Sequence, residues 1–149
     1  MAKRTRCDIM ADALAQHAGE AVCRAVMQGA DTATTPARRA RWVKAAMERL
    51  DVLADAPTRA AVMAECGRQC AWPGYAKKIA AAKRQAGSFD ELLAAIARFW
   101  RIEPGDGVVY VIYPRCYCGM VNATKEPISA TYCQCSREFI ARAFSAGLG

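Results

Sequence analysis

Val108-Val-Tyr-Val-Ile-Tyr113 leading to Cys116-Tyr-Cys118, then nine residues, then Ile128-Ser-Ala-Thr-Tyr132 running into Cys133-Gln-Cys135: this stretch decides how the chain is read. The first run is β-branched and aromatic, the composition of a strand. The second has the same character, and the two pair most simply as an antiparallel hairpin with a CxC pair closing each strand. Side chains in a strand repeat every two residues, so both cysteines of a CxC would point the same way. Four thiols at facing strand ends make a cage, and Cys116, Cys118, Cys133 and Cys135 are the expected metal ligands. Ser136 is placed to cap a final helix, Arg137–Ala146.

Four sulfurs suit zinc, with Zn–S near ~2.3 Å. They suit an iron–sulfur cluster equally well by donor type. Zinc is the expected cofactor and the cluster the alternative. Arg115 and Arg137 flank the cage and would favour thiolate over thiol. Gly119 would permit a tight turn that brings backbone amides toward sulfur. The competing reading is four reduced cysteines packed as small apolar residues. Two CxC pairs on facing strands weigh against it.

A third pair lies upstream in Cys66-Gly-Arg-Gln-Cys70, whose spacing puts both side chains on one helical face. Cys66 and Cys70 are candidate additional ligands or a redox dithiol. Gly67 inside that helix costs ~1 kcal/mol relative to alanine, which marks a close approach by another segment. Cys7 and Cys23 are single and helix-borne. His17 sits on the apolar stripe of the first helix and reads as a satisfied or partly exposed histidine rather than a ligand. With one histidine there is no ordinary His-based metal site. No Gly-rich phosphate loop, HExxH or paired catalytic carboxylate pattern is present, and no catalytic residue is identified.

Upstream of the cysteine-rich segment, the chain reads as about five helices. The first spans residues 5–28 and ends at Gly29. Thr35-Pro36 opens the second, a capping hydroxyl followed by proline at the first helical position. That helix runs to about Leu53 with Trp42, Val43, Ala46, Met47, Leu50 and Leu53 on one stripe. Asp55 caps the third, residues 57–70. Trp72-Pro73-Gly74 breaks the chain before a short helix over 75–86. Ser88-Phe-Asp-Glu91 has the spacing of a capping box and starts the fifth. Glu103-Pro-Gly-Asp-Gly107 reads as a turn. The fold class is therefore mainly α: one domain, residues 1–149, with a helical body (1–103) carrying a β-hairpin and helix module (104–149).

The 149 residues are 54% hydrophobic and 23% charged, which excludes a disordered chain. The longest strongly apolar run, Val108 to Tyr113, is too short to cross a membrane. Asp8 and Asp12 interrupt what would be the apolar part of a secretory signal. A reducing cytoplasmic compartment is expected, where paired cysteines serve metals or redox chemistry before structural disulfides. The excess of +7 falls on residues 1–88, which hold 15 Lys/Arg against 8 Asp/Glu, while 89–149 hold 6 against 6. Clusters such as Lys3-Arg4-Arg6 and Arg38-Arg39-Arg41-Lys44 fit an acidic protein partner or nucleic acid. Solvated helix faces explain them more simply, because no recognition-helix motif accompanies the charge.

The CxC…CxC spacing is similar to the catalytic chain of ferredoxin–thioredoxin reductase, which holds a four-iron cluster beside a redox dithiol. That resemblance implies cluster ligands and one active thiol among Cys116, Cys118, Cys133 and Cys135. The family's prolines inside the pairs are absent here and no third pair follows Cys135, so Cys66 and Cys70 would have to stand in. Residues 108–149, with Tyr132-Cys-Gln-Cys-Ser136 and an amphipathic helix, look like the cysteine-containing part of four-vinyl-reductase-type domains. Those bind small molecules and sometimes zinc. Met63-Ala-Glu-Cys-Gly-Arg-Gln-Cys70 also resembles uncharacterised bacterial cysteine-rich proteins, which implies no function. The expected function is thiolate metal binding in a structural, sensing or small-ligand-binding role. An iron–sulfur redox protein and a nucleic-acid adaptor using the basic helices are the alternatives.

Overall fold

Thr35 and Asp55 start two helices at the residues their side chains predict. Thr35 accepts a hydrogen bond from the Arg38 amide at 3.2 Å, with Pro36 in the first turn, and α3 runs Pro36–Leu53. Asp55 accepts from the Thr58 amide at 2.9 Å and opens α4, Ala56–Arg68. Each such cap satisfies an amide that the helix itself leaves unpaired. The computed structural model describes residues 4–149 and is mainly helical. Lys3, part of the first basic cluster, lies outside the described residues.

Within the described residues there are seven α-helices, one 3-10 turn and one two-stranded sheet. The chain divides into two compact units: residues up to Cys70 with Cys116–Phe139, and Ala71–Arg115 with Ile140–Gly149. These bounds differ from the division at residue 103 read from the sequence.

In the first unit the expected helix over 5–28 is two helices, α1 (Arg6–Ala18) and α2 (Glu20–Met27). Gly19, at φ +88°, breaks the run in a conformation that L side chains rarely adopt. The break lets α2 fold back on α1, where Cys23 donates to the Ala11 carbonyl at 3.3 Å. Thr5 and Asp8 form a reciprocal capping box at the start of α1. Arg49 donates to the Val26 and Gln28 carbonyls at 2.7 and 3.1 Å, satisfying the end of α2. The stripe on α3 is buried as read: Trp42, Val43, Ala46, Met47 and Leu50 join Met10, Leu14, Val26, Val62 and Met63 in one core. Leu53, expected on that stripe, is exposed instead.

The largest departure concerns residues 128–136. They form no strand; α7 spans Ala130–Leu148, so the helix expected over 137–146 begins seven residues earlier. Asp51 on α3 explains why. It accepts hydrogen bonds from the hydroxyls of Ser129 and Thr131, both at 2.5 Å, while the Thr131 amide donates to Ser129 Oγ. The carboxylate thereby fixes the first turn of α7, overriding the strand preference of Ile128, Thr131 and Tyr132.

In the second unit α5 (Trp72–Gln85) packs on α6 (Phe89–Ile96). Val108–Val111 is a strand, β2, but its antiparallel partner is β1, Ile102–Gly105. Only Asp106 and Gly107, at φ +50° and +76°, make the turn, a two-residue link of the kind that matches strand twist. Trp100 stacks on Tyr75 at 4.9 Å and contacts Phe144 at 5.4 Å. Gly147 of α7 sits against α5, where a Cβ would fall 2.7 Å from Ile79 Cβ and 2.8 Å from the Ala76 carbonyl oxygen.

A candidate thiol-rich metal centre

All eight cysteines belong to the first unit and are free thiols. Three segments carry the paired ones. Cys66 lies in the last turn of α4 and Cys70 just beyond its end. Cys116 and Cys118 lie in the irregular segment between β2 and α7. Cys133 and Cys135 lie near the start of α7.

Gly67 is what brings α4 to α7. A Cβ at that position would lie 2.3 Å from the Cys135 carbonyl oxygen and 3.0 Å from Glu138 Cβ, so only glycine permits the contact. The close approach expected from this helix-interior glycine is therefore made by the helix carrying the last cysteine pair. Arg68 spans the same seam, paired with Glu65 at 2.6 Å and with Glu138 at 3.8 Å.

The Cys116/Cys118 segment is pinned by its neighbours. The amides of Val121 and Asn122 both donate to the Cys118 carbonyl at 3.0 Å, and Met120 and Val121 are buried in the core. Cys118 Sγ lies 3.3 Å from the hydroxyl of buried Tyr132. Gly119 lies in a turn, as read from the sequence, but the turn does not require glycine. Its φ is ordinary, and a Cβ there would meet nothing within 4 Å.

Cys133 and Cys135 are separated by helical geometry. At ~100° per residue they project about 200° apart around α7, not side by side as on a strand. Cys135 shares the inward face with Tyr132, three residues earlier, and packs against the core. Cys133 is exposed. The second CxC pair thus sits on a helix and not at a strand end. Cys66, Cys116, Cys118 and Cys135 all pack against the core cluster, Cys70 is half-buried, and Cys133 is exposed.

Arg6, from the first turn of α1, was not singled out by sequence. Its Nη1 donates to Cys70 Sγ at 2.8 Å. Burial lowers its pKa, but the charges of Cys118 and Cys70 and that hydrogen bond outweigh burial and raise it. Arg4 supports the same corner by donating to Gln69 at 2.9 Å and pairing with Asp12. Nothing distinguished Arg6 from the other basic residues near the chain start, because its partner is 64 residues away.

Burial disfavours ionisation of three of the paired thiols, Cys66, Cys116 and Cys135. Burial pushes Cys135 up to about 12, with Cys118, Cys116, Cys66 and Cys70 adding to the rise. Cys66 is likewise pushed up to about 12, by burial and then by Glu65 and Cys70, with Arg6 opposing. Burial also raises Cys116, and Cys118 and Cys133 add to it. Burial and Cys118 lift the Tyr132 phenol far above its usual range. Several thiols in one half-buried region, each discouraging ionisation of the next, form a donor set whose charge a soft cation would neutralise. Among the described residues no three His, Cys, Asp or Glu side chains stand in coordinating geometry.

The remaining candidates lie elsewhere. Cys7 is raised by burial and sits in the fields of Arg39 and Asp8. Cys23 donates to the Ala11 carbonyl. His17, expected to be satisfied or partly exposed, is half-buried, and its Nε2 has no hydrogen-bond partner among the described residues. None of the described helices is long and apolar enough to cross a membrane.

One family model matches, over residues 1–147, and is described as a family of unknown function, DUF6144. No curated protein matches the chain, and no solved structure does.

Proposed function

We propose that this chain, which belongs to the DUF6144 family of unknown function, is a thiolate metal-binding protein whose ion is zinc. The observation that supports this reading is the meeting of α4, the 116–118 segment and α7 in one unit, each bringing a cysteine pair. Three segments distant in sequence and presenting soft donors fit an ion that ties them together in a structural, sensing or small-ligand-binding role. Cys116, Cys118 and Cys135 are the central ligands, with the fourth drawn from Cys133, Cys66 or Cys70. Arg6 would offset the negative charge of a multi-thiolate site. Because the ligands must lose protons, binding would release them and weaken toward acid pH. Elemental analysis of protein purified without added metal is the direct test. One zinc per chain supports the reading, and a metal-free protein that takes up no added zinc removes it.

One observation favours a second reading. Three pairs supply six thiols, two more than a four-coordinate site uses. An iron–sulfur cluster beside a spare dithiol would employ all six. Anaerobic purification separates the two, since a cluster gives a brown protein with broad visible absorption and zinc a colourless one.

A further inference from the structure

We propose that a cavity beside the start of α3 binds a small phosphate-bearing anion through the guanidiniums of Arg38 and Arg41. The cavity has a volume of about 320 Å³ and is lined by Gly29, Thr32, Ala33, Arg38, Arg41 and Trp42. It lies within the first unit, shares no residue with the sulfur corner, and goes beyond the metal-binding reading without resting on it.

The basic cluster over 38–44 divides three ways in the fold. Lys44 is taken up by Glu48 at 3.0 Å and Glu126 at 3.8 Å. Arg39 is half-buried and its charge acts on Cys7. Arg38 and Arg41, three residues apart on one face of α3, both line the cavity. Among the described residues neither guanidinium has a hydrogen-bond or ion-pair partner. No acidic residue lines the cavity, and none stands in the first turn of α3. Two like charges that share a wall repel each other, and an anion between them removes the repulsion. Arg38 also stands in the first turn of α3, where a cation meets the positive end of the helix dipole. Planar guanidiniums bond phosphate oxygens two at a time, which selects phosphate over a spherical ion such as chloride.

The walls are fixed without a ligand. Trp42 is nearly buried and donates its indole N–H to the Gln28 carbonyl at 3.0 Å, and Arg49 donates to the same carbonyl at 3.1 Å. The Thr32 hydroxyl donates to the Gly29 carbonyl at 3.0 Å, and Gly29 turns the chain at φ +82°. The volume is at the lower end of the ~300–1,000 Å³ usual for small-molecule sites. A nucleic-acid strand would need a longer basic track with stacking rings, and here the next cation along, Lys44, is already paired.

The test titrates the full chain calorimetrically with inorganic phosphate and with glycerol phosphate at constant ionic strength. One saturable site per chain is expected, and the tighter probe tells a free phosphate ion from an organic phosphoester. Arg38→Gln and Arg41→Gln are each expected to weaken binding about tenfold or more, the scale of a lost charge-assisted contact. The double variant should not bind. Arg84→Gln, at the end of α5, removes the same charge away from the cavity and should stay within about twofold of the parent, since salt screens it. Arg38 and Arg41 are exposed, so the variants are expected to melt as the parent does. Should one fail to fold, phosphate protection of Arg38 and Arg41 from phenylglyoxal in the parent, read by peptide mass spectrometry, decides instead. A parent that binds neither probe, a double variant that binds like the parent, or arginines that phosphate leaves unprotected overturns the proposal. So does a single-stranded oligonucleotide that binds more tightly than both probes, loses affinity steeply with salt and is weakened equally by Arg84→Gln, because the charge would then be a diffuse polyanion surface.

Discussion

The aromatic centre of the second unit and the sulfur corner of the first solve the same problem with opposite materials. The rings of Tyr75, Phe99 and Phe144 lie 4.9, 5.4 and 5.4 Å from that of Trp100, and Lys78 rests over Tyr75 at 5.0 Å. Large apolar surfaces do the holding there, and such ring pairs add ~0.5–1.5 kcal/mol beyond their burial. The sulfur corner is made from small, weakly polar side chains on three segments. Much of its order comes from contacts around the thiols: a glycine seam, a carboxylate at the head of a helix and one guanidinium. A region closed by aromatic burial is complete in itself. A region closed by thiols, three of which burial discourages from ionising, is suited to gain from a cation.

The most disruptive way to test that contrast is Trp100→Ala. Truncating this nearly buried ring should remove about 4 kcal/mol, as large core deletions do, yet leave metal content per folded molecule unchanged. Urea unfolding and metal analysis on the same sample check both halves. Gly67→Ala comes next. Its new methyl group would lie 2.3 Å from a backbone oxygen that cannot rotate away. Despite alanine's better helix propensity, we expect a loss of about 2–3 kcal/mol from overpacking, together with weakened zinc binding. Full zinc affinity in a folded Gly67→Ala protein would show that α4 takes no part in the site.

Asp51→Asn should cost less, about 1–2 kcal/mol, since a third of the carboxylate side chain remains exposed. Its effect also depends on pH. Burial raises the Asp51 carboxyl, but the hydrogen bonds from Ser129 and Thr131 and the Arg59 charge together bring it below the usual carboxylate range. The stability it supplies is therefore present above the unfolded-state value near ~4 and lost as pH falls through the lower folded-state value. Acid titration followed by circular dichroism should show that component in the parent and not in the variant. The smallest effect belongs to Thr35→Ala, which removes the α3 cap. It should lower stability by about 1 kcal/mol and leave metal binding untouched, checked by thermal melting.

How far the chain could be read in advance follows the range of the forces involved. Thr35-Pro36, Asp55 and Ser88 announce helix starts because each acts on an amide three residues away. The stripe from Trp42 to Leu50 is equally local. Residues 128–136 misled because three β-branched or aromatic residues, Ile128, Thr131 and Tyr132, carry little information by themselves. Asp51, which settles their conformation, lies 78 and 80 residues away in sequence from the hydroxyls it holds. The hairpin was hidden differently: Pro104 in β1 masked a strand beside a clear Asp106-Gly107 turn. For the candidate site, spacing exposed the cysteine pairs and the meaning of Gly67. It could not reveal that Cys133 and Cys135 part company, because a two-residue interval changes meaning when strand becomes helix. Arg6 and Tyr132 acquire their importance only from distant neighbours.

The division of the first unit along the chain has a temporal consequence. Its two portions, residues up to Cys70 and Cys116–Phe139, are separated by the 71–115 segment. During synthesis at ~5–20 residues per second, Cys66 and Cys70 leave the ribosome roughly two to nine seconds before Cys116 follows. Through that interval α1–α4 have neither the 116–118 segment nor the head of α7 to cover them. The newborn chain must therefore keep its first thiol pair reduced and unclaimed until a distant stretch arrives.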